Sequence, residues 1–440
     1  MQNRDEVWLV ISHAFNMDGR AASQTITDKI PHLISAGIKP IVLSAVTGRR
    51  DDTVEHHQLL PVSPAGLRFD LRFVLRKRLS GKLAYKLAVG TMTLLMLPFY
   101  ILEKILVRLE PQWSWFVPAY FAGAKIIRSR KPAVIYSTGG ANSAHLAGYL
   151  LARRFRLPWI AEVHDPMVFG TDKDGRMSAR FAAWLEGRIC RHADVPFWFV
   201  DTALARARQR HPEMGDRGRV LIPGADKPAF EKVPYRRSGE MVIGHFGSLS
   251  ATRNLGSFVQ AMEKLIGQRP EARKLMRLEI YGSGADGVSE AAIAQFPAPE
   301  MIRQFGRLEN DPVTGESGRE RVLKRMNTVD CLLLLHGTEA FCEEYIPSKF
   351  YEYLWTQRPI LGLVWRNPQL EKMLRENGHL AVTADDVDGI CDALLDLFDR
   401  WTKDDLADSG GVSPYTAQAA TRQLIGWVRE AEQRHSCAER

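Results

Sequence analysis

Two glutamates, Glu344 and Glu352, flank the tripeptide Pro347-Ser348-Lys349 in the string EYIPSKFYE. The spacing predicts a helix that starts at this tripeptide. Unpaired backbone N–H groups and the positive end of the helix dipole make a helix start an anion site. Ser348 and Lys349 would offer N–H groups and one cationic side chain to a diphosphate. Glu352, one turn into the helix, would sit beside a nucleotide, where a carboxylate accepts two hydroxyl hydrogen bonds from a ribose diol. Glu344, in the loop before the helix, would reach a sugar beyond the phosphates. The plainer alternative makes Ser348 a helix cap and Glu352 a solvated surface acid. The Pro-Ser-Lys context favours the anion site.

A second set of residues follows predicted strands nearer the N-terminus. His164-Asp165 comes after the apolar run Pro158–Ala161 and could orient a hydroxyl or a sugar. Alternatively Asp165 caps the next segment and His164 merely packs nearby. His13, just past the run Val7–Ile11, is a further candidate. No Asp-x-Asp follows a predicted strand, so no divalent-metal clamp is expected. The five cysteines (Cys190, Cys331, Cys342, Cys391 and Cys437) are scattered, without a Cys-x-x-Cys or Cys/His cluster. Neither a disulfide framework nor a zinc site is expected from them, and a reducing compartment fits.

The elements that must position these residues alternate. Val7–Ile11 reads as a strand, Ala21–Ala36 as a helix, and Ile41–Leu43 as the next strand. Strands at Ala133–Tyr136, Pro158–Ala161 and Val195–Val200 follow, with helices between them. The pattern restarts at Met241–Gly244 and continues through Leu278–Tyr281, Cys331–Leu335 and Ile360–Val364. This predicts two doubly wound parallel sheets, in which ligands bind beyond the carboxyl ends of the strands. The Pro/Gly-rich stretch Arg219–Arg237 reads as the linker. The expected division is residues 1–218, then 238–412, then a helix within 413–440 that returns to the first domain. The opening Met-Gln-Asn-Arg-Asp-Glu runs straight into the first strand. With no small-residue cleavage site behind that strand, it does not read as a signal peptide.

The composition, 45% hydrophobic and 25% charged over 440 residues, is ordinary for a globular protein. The net charge of +8 is modest, but part of it is concentrated. Seven basic residues and one acid, Asp70, lie between Arg68 and Lys86. Leu87–Leu102 then runs 16 residues without a charge. It is interrupted by Gly90 and Pro98 and is short for a membrane span, which needs about 20 apolar residues. Within the insertion near residues 67–108, two readings stay open: a buried helical hairpin, or a patch in the interface of an anionic membrane. The cations adjoin an apolar run rather than interleaved aromatics, so nucleic-acid binding has no specific support.

The string IPSKFYEYLWTQRPILGLV resembles the E-x7-E region of GT-B glycosyltransferases, family 4 in particular. SHAFNMDGRAASQTI, IYSTGGANSAHLAGYLLARRFRLPWIAEVHDPM, HFGSLSATRNLGSFVQAMEKL and IYGSGAD resemble further parts of that family, in order. The resemblance spans nearly the whole chain except about residues 50–120. It implies the GT-B fold, with two Rossmann-like domains facing a cleft. It also implies transfer of a sugar from a nucleoside-diphosphate sugar with retention of configuration, without metal or other cofactor. Glu352 would bind the donor ribose and Glu344 the donor sugar. Arg253 falls where the family usually has a Lys on the diphosphate. Gly19 would let backbone approach the diphosphate or the acceptor. One departure stands out, since Ser248 occupies the place of a usual Arg, leaving Arg253 and Lys349 to neutralise phosphate. The base would lie near Arg307 and Leu308.

The expected partners are a nucleotide-sugar donor, a saccharide or lipid-linked acceptor in polysaccharide or glycolipid synthesis, and an anionic membrane surface, with the chain cytoplasmic and peripheral. Competing readings are a nucleotide-sugar 2-epimerase and a catalytically altered membrane-associated binding module. A dinucleotide oxidoreductase is disfavoured, because Asp18-Gly-Arg and Gly282-Ser-Gly lack the full Gly-x-Gly-x-x-Gly fingerprint.

Overall fold

Runs such as Cys331-Leu-Leu-Leu-Leu335 can be satisfied only in a sheet covered on both faces, and parallel sheets supply that setting. The computed structural model of the chain describes residues 6–17, 20–79, 81–168, 176–232, 234–282, 284–406 and 412–438. It divides into two units, residues 1–223 with 417–440, and residues 224–416.

The first unit contains β1 (Glu6–Ile11), α1 (Ala21–Thr27), α2 (Ile30–Ser35), β2 (Ile38–Ala45), β3 (Glu55–Leu59), α3 (Pro64–Arg78) and α4 (Lys82–Leu106). It continues with α5 (Phe116–Arg130), β4 (Val134–Thr138), α6 (Asn142–Phe155), β5 (Trp159–Val163), α7 (Met177–His192), β6 (Val195–Trp198), α8 (Asp201–Arg210) and β7 (Arg219–Val220). The strands form a parallel sheet in the order β3-β2-β1-β4-β5-β6-β7. The order reverses between β1 and β4, so the loops after these two strands border the place where such sheets take ligands.

The second unit contains β8 (Met241–Phe246), α9 (Gly256–Gln268), α10 (Ala272–Leu275), β9 (Met276–Tyr281), α11 (Gly287–Gln295) and β10 (Ile302–Gly306). It continues with α12 (Gly318–Met326), β11 (Cys331–Leu335), α13 (Lys349–Leu354), β12 (Ile360–Val364), α14 (Pro368–Glu376), β13 (Leu380–Thr383) and α15 (Val387–Thr402). Its parallel order, β10-β9-β8-β11-β12-β13, reverses between β8 and β11. The last helix, α16 (Ala417–Ala438), belongs to the first unit. Its Leu424, Ile425 and Val428 join a core cluster with Trp8, Ile30, Leu33 and Phe197. The expected helical return is therefore present.

Two local expectations need correction. The single helix read over Ala21–Ala36 is broken into α1 and α2. In a continuous helix the Pro31 ring would clash with the Thr27 carbonyl four residues back. The apolar run Leu87–Leu102 forms most of α4, yet it is not the buried hairpin entertained above. Leu87, Leu94, Leu95, Phe99 and Leu102 are all exposed. Two edge strands, β3 (EHHQL) and β10 (IRQFG), carry no apolar run and gave no strand signal.

Candidate functional site

In the second unit, the loops after β8, β9 and β11 are tied into one surface at the carboxyl edge of the sheet. The Gly247 N–H donates to the Tyr281 carbonyl (2.9 Å), and the Thr338 N–H donates to the Thr252 carbonyl (3.0 Å). Gly282 sits at φ +146°, and a Cβ there would lie 1.9 Å from the Gly247 carbonyl oxygen. Only glycine lets these two turns close on each other.

Glu344 ends a single 3-10 turn, Ala340–Glu344, and is 2% exposed. Its loop is held from behind by two side chains. The Asn367 amide Nδ2 donates to the carbonyls of Cys342 (3.2 Å), Glu343 (3.3 Å) and Tyr345 (2.9 Å). Its Oδ1 accepts from the Leu370 N–H (2.9 Å) and so caps α14. The Trp365 N–H donates to His336 Nδ1 (3.1 Å). The proton of His336 therefore sits on Nε2, which donates to the Tyr345 carbonyl (3.0 Å). Burial pushes His336 down to about 4, so it stays neutral in this role.

Glu352 lies in the first turn of α13 and is also buried. Lys349 Nζ stands 2.5 Å from its Oε2, and an Arg319 terminal nitrogen 3.4 Å from its Oε1. Burial alone would raise its pKa. The charges of Lys349 and Arg319 outweigh that and hold it below the usual carboxylate range. The helix is fixed in place by Tyr353, whose hydroxyl accepts from the Phe246 N–H (3.0 Å). Ser348 is exposed and its side chain makes no cap hydrogen bond, so the capping alternative fails. Glu352 is no solvated surface acid either. Sequence reasoning missed Arg319 entirely, since it lies on α12, 33 residues upstream of its partner.

Arg253 folds back along its own loop, with its Nε donating to the Ser248 carbonyl (2.9 Å). The guanidinium thus returns to the residue where the resembling family carries an arginine. It also lies beside Tyr345, where its charge opposes the upward push of burial on the phenol. One cation therefore borders the Glu344 loop, while Lys349 and Arg319 border Glu352. Along the neighbouring strands three rings stack in series. Phe246 lies 4.8 Å from Tyr281 and Tyr281 4.8 Å from Phe305, with interplanar angles of 4° and 7°. Arg307 and Leu308 follow this ladder.

In the first unit His164 directly follows β5 and joins a buried charge network. Its Nε2 lies 2.7 Å from Glu162 Oε1 and 3.0 Å from Thr138 Oγ1. Glu162 is fully buried and receives Lys29 Nζ at 3.1 and 3.2 Å, together with the Tyr136 hydroxyl. Burial would raise the Glu162 pKa, but Lys29 and His164 outweigh it and keep the carboxylate ionised. The proton of His164 therefore belongs on Nε2, which leaves Nδ1 as the ring's other polar atom. Phe199 packs on the ring at 4.9 Å, tilted 32°. A Cβ on Gly139 would meet His164 Cγ at 2.6 Å, so glycine makes room for the ring. Lys29 reaches Glu162 from the break between α1 and α2. Neither residue was singled out in the sequence, although a Lys with no exposure is a rare event that only the fold exposes. Asp165 is exposed, and the helix that follows, α7, has Arg176 as its N-cap residue, so Asp165 does not cap it.

His13 is 3% exposed and lies 3.6 Å from Asp70 on α3, beyond hydrogen-bond range. Its Nε2 and both Asp70 oxygens find no hydrogen-bond partner among the described residues. Burial, with help from Arg20, pushes His13 down to about 4, and burial pushes Asp70 up to about 7. Gly19 lies outside the described residues. Among the described residues no three His, Cys, Asp or Glu side chains converge as metal ligands, and Cys190, Cys331, Cys342 and Cys391 are buried free thiols.

Residues 103–225 match the family model for a glycosyl transferase 4-like domain. No curated protein sequence matches the chain. Among solved structures, sucrose-phosphate synthase from Thermosynechococcus elongatus is similar at TM-score 0.58 and 12% identity, over 99% of this chain and 98% of that one. WaaG, a glycosyltransferase involved in lipopolysaccharide biosynthesis, is similar at TM-score 0.54 and 11% identity, over 96% and 100%. A putative UDP-N-acetylglucosamine 2-epimerase from Listeria monocytogenes is similar at TM-score 0.53 and 12% identity, over 98% and 97%. These likenesses concern the fold, which several activities share. The two parallel sheets give the chain a GT-B fold, and residues 103–225 in its first unit are similar to a glycosyl transferase 4-like domain.

Proposed function

We propose that the chain is a retaining glycosyltransferase that moves a sugar from a nucleoside-diphosphate sugar to the hydroxyl of a saccharide or lipid-linked acceptor. The observation that carries the reading is the buried, ionised Glu352 at the start of α13, flanked by Lys349 and Arg319 and preceded by the braced Glu344 loop. A carboxylate kept ionised in a buried site is poised to accept hydrogen bonds from a diol. Cations beside it suit a diphosphate. On this reading Glu352 takes the donor ribose and Glu344 the donor sugar, and Arg253, Lys349 and the N–H of Ser348 take the phosphates. His164 and Asp165 orient the acceptor or the sugar, with His164 held by Glu162 and offering Nδ1.

The step forms a bond from the acceptor oxygen to the anomeric carbon and breaks the bond from that carbon to the leaving phosphate oxygen, on the same face. The acceptor proton passes to a leaving-phosphate oxygen, so no separate base is required. Electrostatic stabilisation of the departing diphosphate by Arg253 and Lys349 is then the main protein contribution.

The test is release of nucleoside diphosphate from a panel of UDP-, GDP- and ADP-sugars with saccharide and lipid-linked acceptors. Release is expected to depend on acceptor, to persist in EDTA, and to give a product of the donor's anomeric configuration. Conversion of a donor to its 2-epimer in the absence of acceptor would instead support an epimerase. Nucleotide binding without turnover would support an altered binding module.

A further inference from the structure

A second feature of the first unit has no part in the donor chemistry. Helices α3 and α4 form an antiparallel hairpin, and its polarity is inverted. The inner face of α4 carries its polar contacts. Arg68 Nε donates to Thr93 Oγ1 (3.1 Å), and the Arg68 guanidinium lies over the Tyr100 ring at 5.7 Å. Buried Glu103 accepts from the Ala65 N–H (2.7 Å) and from Trp113 Nε1 (2.6 Å), which fixes the end of α4 to the first unit. The outer face is the more apolar one. Leu87, Leu94, Leu95, Phe99, Leu102 and Leu106 follow one another at helical spacing, and Leu94 and Leu95 are 70% and 71% exposed. A soluble helix turns that stripe inward. Here the helix is long and apolar enough to cross a membrane, yet no part of its apolar window is buried.

The charge around it identifies the occupant. Arg76 and Arg78 in the last turn of α3 and Lys82 and Lys86 in the first turns of α4 are exposed, and residues 71–102 contain no acid. A second copy of the chain would bring the same cations against these and be repelled. An anionic leaflet meets both features, apolar and cationic. A full crossing is disfavoured because α3 travels with α4. Drawing Arg68 and Arg72 into hydrocarbon would cost each roughly a hundredfold in partitioning. We infer that the α3–α4 hairpin is a membrane-docking element, with the outer face of α4 lying in the interface of an anionic bilayer and the cations at the end of α3 and the start of α4 on lipid headgroups.

The hairpin is also joined to the candidate acceptor edge, since Asp70 of α3 is buried against His13 at the end of β1. Docking would bring a lipid-borne acceptor to that edge. This last clause rests on the transferase reading, whereas docking is measured without donor or acceptor, so the two fail separately.

The experiment is flotation of the full chain with phosphatidylcholine vesicles, with and without phosphatidylglycerol. The chain should float with the anionic vesicles, float weakly with the neutral ones, and be stripped by alkaline carbonate. Leu94→Glu with Leu95→Glu should abolish flotation. Arg76→Glu with Lys82→Glu and Lys86→Glu should weaken it about tenfold or more. Both sets of changes lie on exposed side chains, so melting midpoints should hold and confirm intact folding. Absence of flotation on either vesicle, flotation indifferent to the leucine changes, or resistance to carbonate would overturn the inference. So would a dimer in size exclusion that the leucine changes convert to monomer.

Discussion

Replacing Glu352 by Gln keeps the side-chain shape and removes its charge. Two effects follow, and they oppose each other. The carboxylate is the counter-charge of Lys349 at 2.5 Å and Arg319 at 3.4 Å. Both cations are about one-third exposed and can turn to water, so the loss of stability should be nearer the surface-pair value, about 1 kcal/mol, than the several kcal/mol of a buried pair. On the proposed reading, the variant also loses charged hydrogen bonds to the ribose, each worth about 1.5–3 kcal/mol, or roughly ten- to a hundredfold in Kd. Lys349, released from its partner, would recover part of this on the diphosphate, on the order of 1 kcal/mol at most. The net expectation is a rise of about tenfold or more in the Kd of the preferred nucleoside diphosphate, read by calorimetry. A double-mutant cycle removes the offset. The 2′-deoxy nucleotide should bind the native chain more weakly, and Glu352→Gln should weaken it by less than it weakens the ribonucleotide. A Kd unchanged within about twofold, or equal losses with ribo- and deoxynucleotide, would refute the assignment of Glu352 to the ribose.

Arg253→Ala should raise the Kd of nucleoside diphosphate by roughly tenfold while leaving that of the plain nucleoside nearly unchanged, because the guanidinium beside Ser248 and Tyr345 is assigned to phosphate. Equal losses with both ligands would count against it. Gly139→Ala should displace His164, whose ring stands 2.6 Å from the new Cβ, at a cost of about 1–3 kcal/mol in denaturant stability. Turnover should fall while nucleotide affinity in the second unit stays constant, and a loss of both would count against separate roles. Asp70→Asn probes the buried pair through pH. His13 is depressed from 6.5 to about 4, so its contribution is present above 6.5 and is lost as pH falls. Asp70 is raised from 3.8 to about 7, so its contribution is present below 3.8 and is lost as pH rises. Between about pH 4 and 6.5 the two slopes cancel in the native chain. In the variant the His13 slope is left alone, and stability relative to the native chain should fall on acidification by up to about 1.4 kcal/mol per pH unit. Identical pH dependence of the two denaturation curves would contradict this account.

Local residue pattern was enough to specify the alternation of strands and helices where burial is complete. Cys331–Leu335 and Ile360–Val364 were legible because a parallel strand covered on both faces must be apolar throughout. The edge strands β3 and β10 were not, since half-covered strands need no such run. The spacing of Glu344 and Glu352 around Pro-Ser-Lys was also legible, because a helix start is a local property of a few residues. What the spacing could not contain was the surroundings of those acids. Arg319 reaches Glu352 from another helix, His336 and Asn367 brace the Glu344 loop from neighbouring strand ends, and Lys29 meets Glu162 across 133 residues of chain. Such pairings depend on which strands become neighbours, which local preference does not specify. The same holds for α4. Its apolar composition was plain in the sequence, but only tertiary packing decided that the polar side of the helix faces α3 and the leucines face outward.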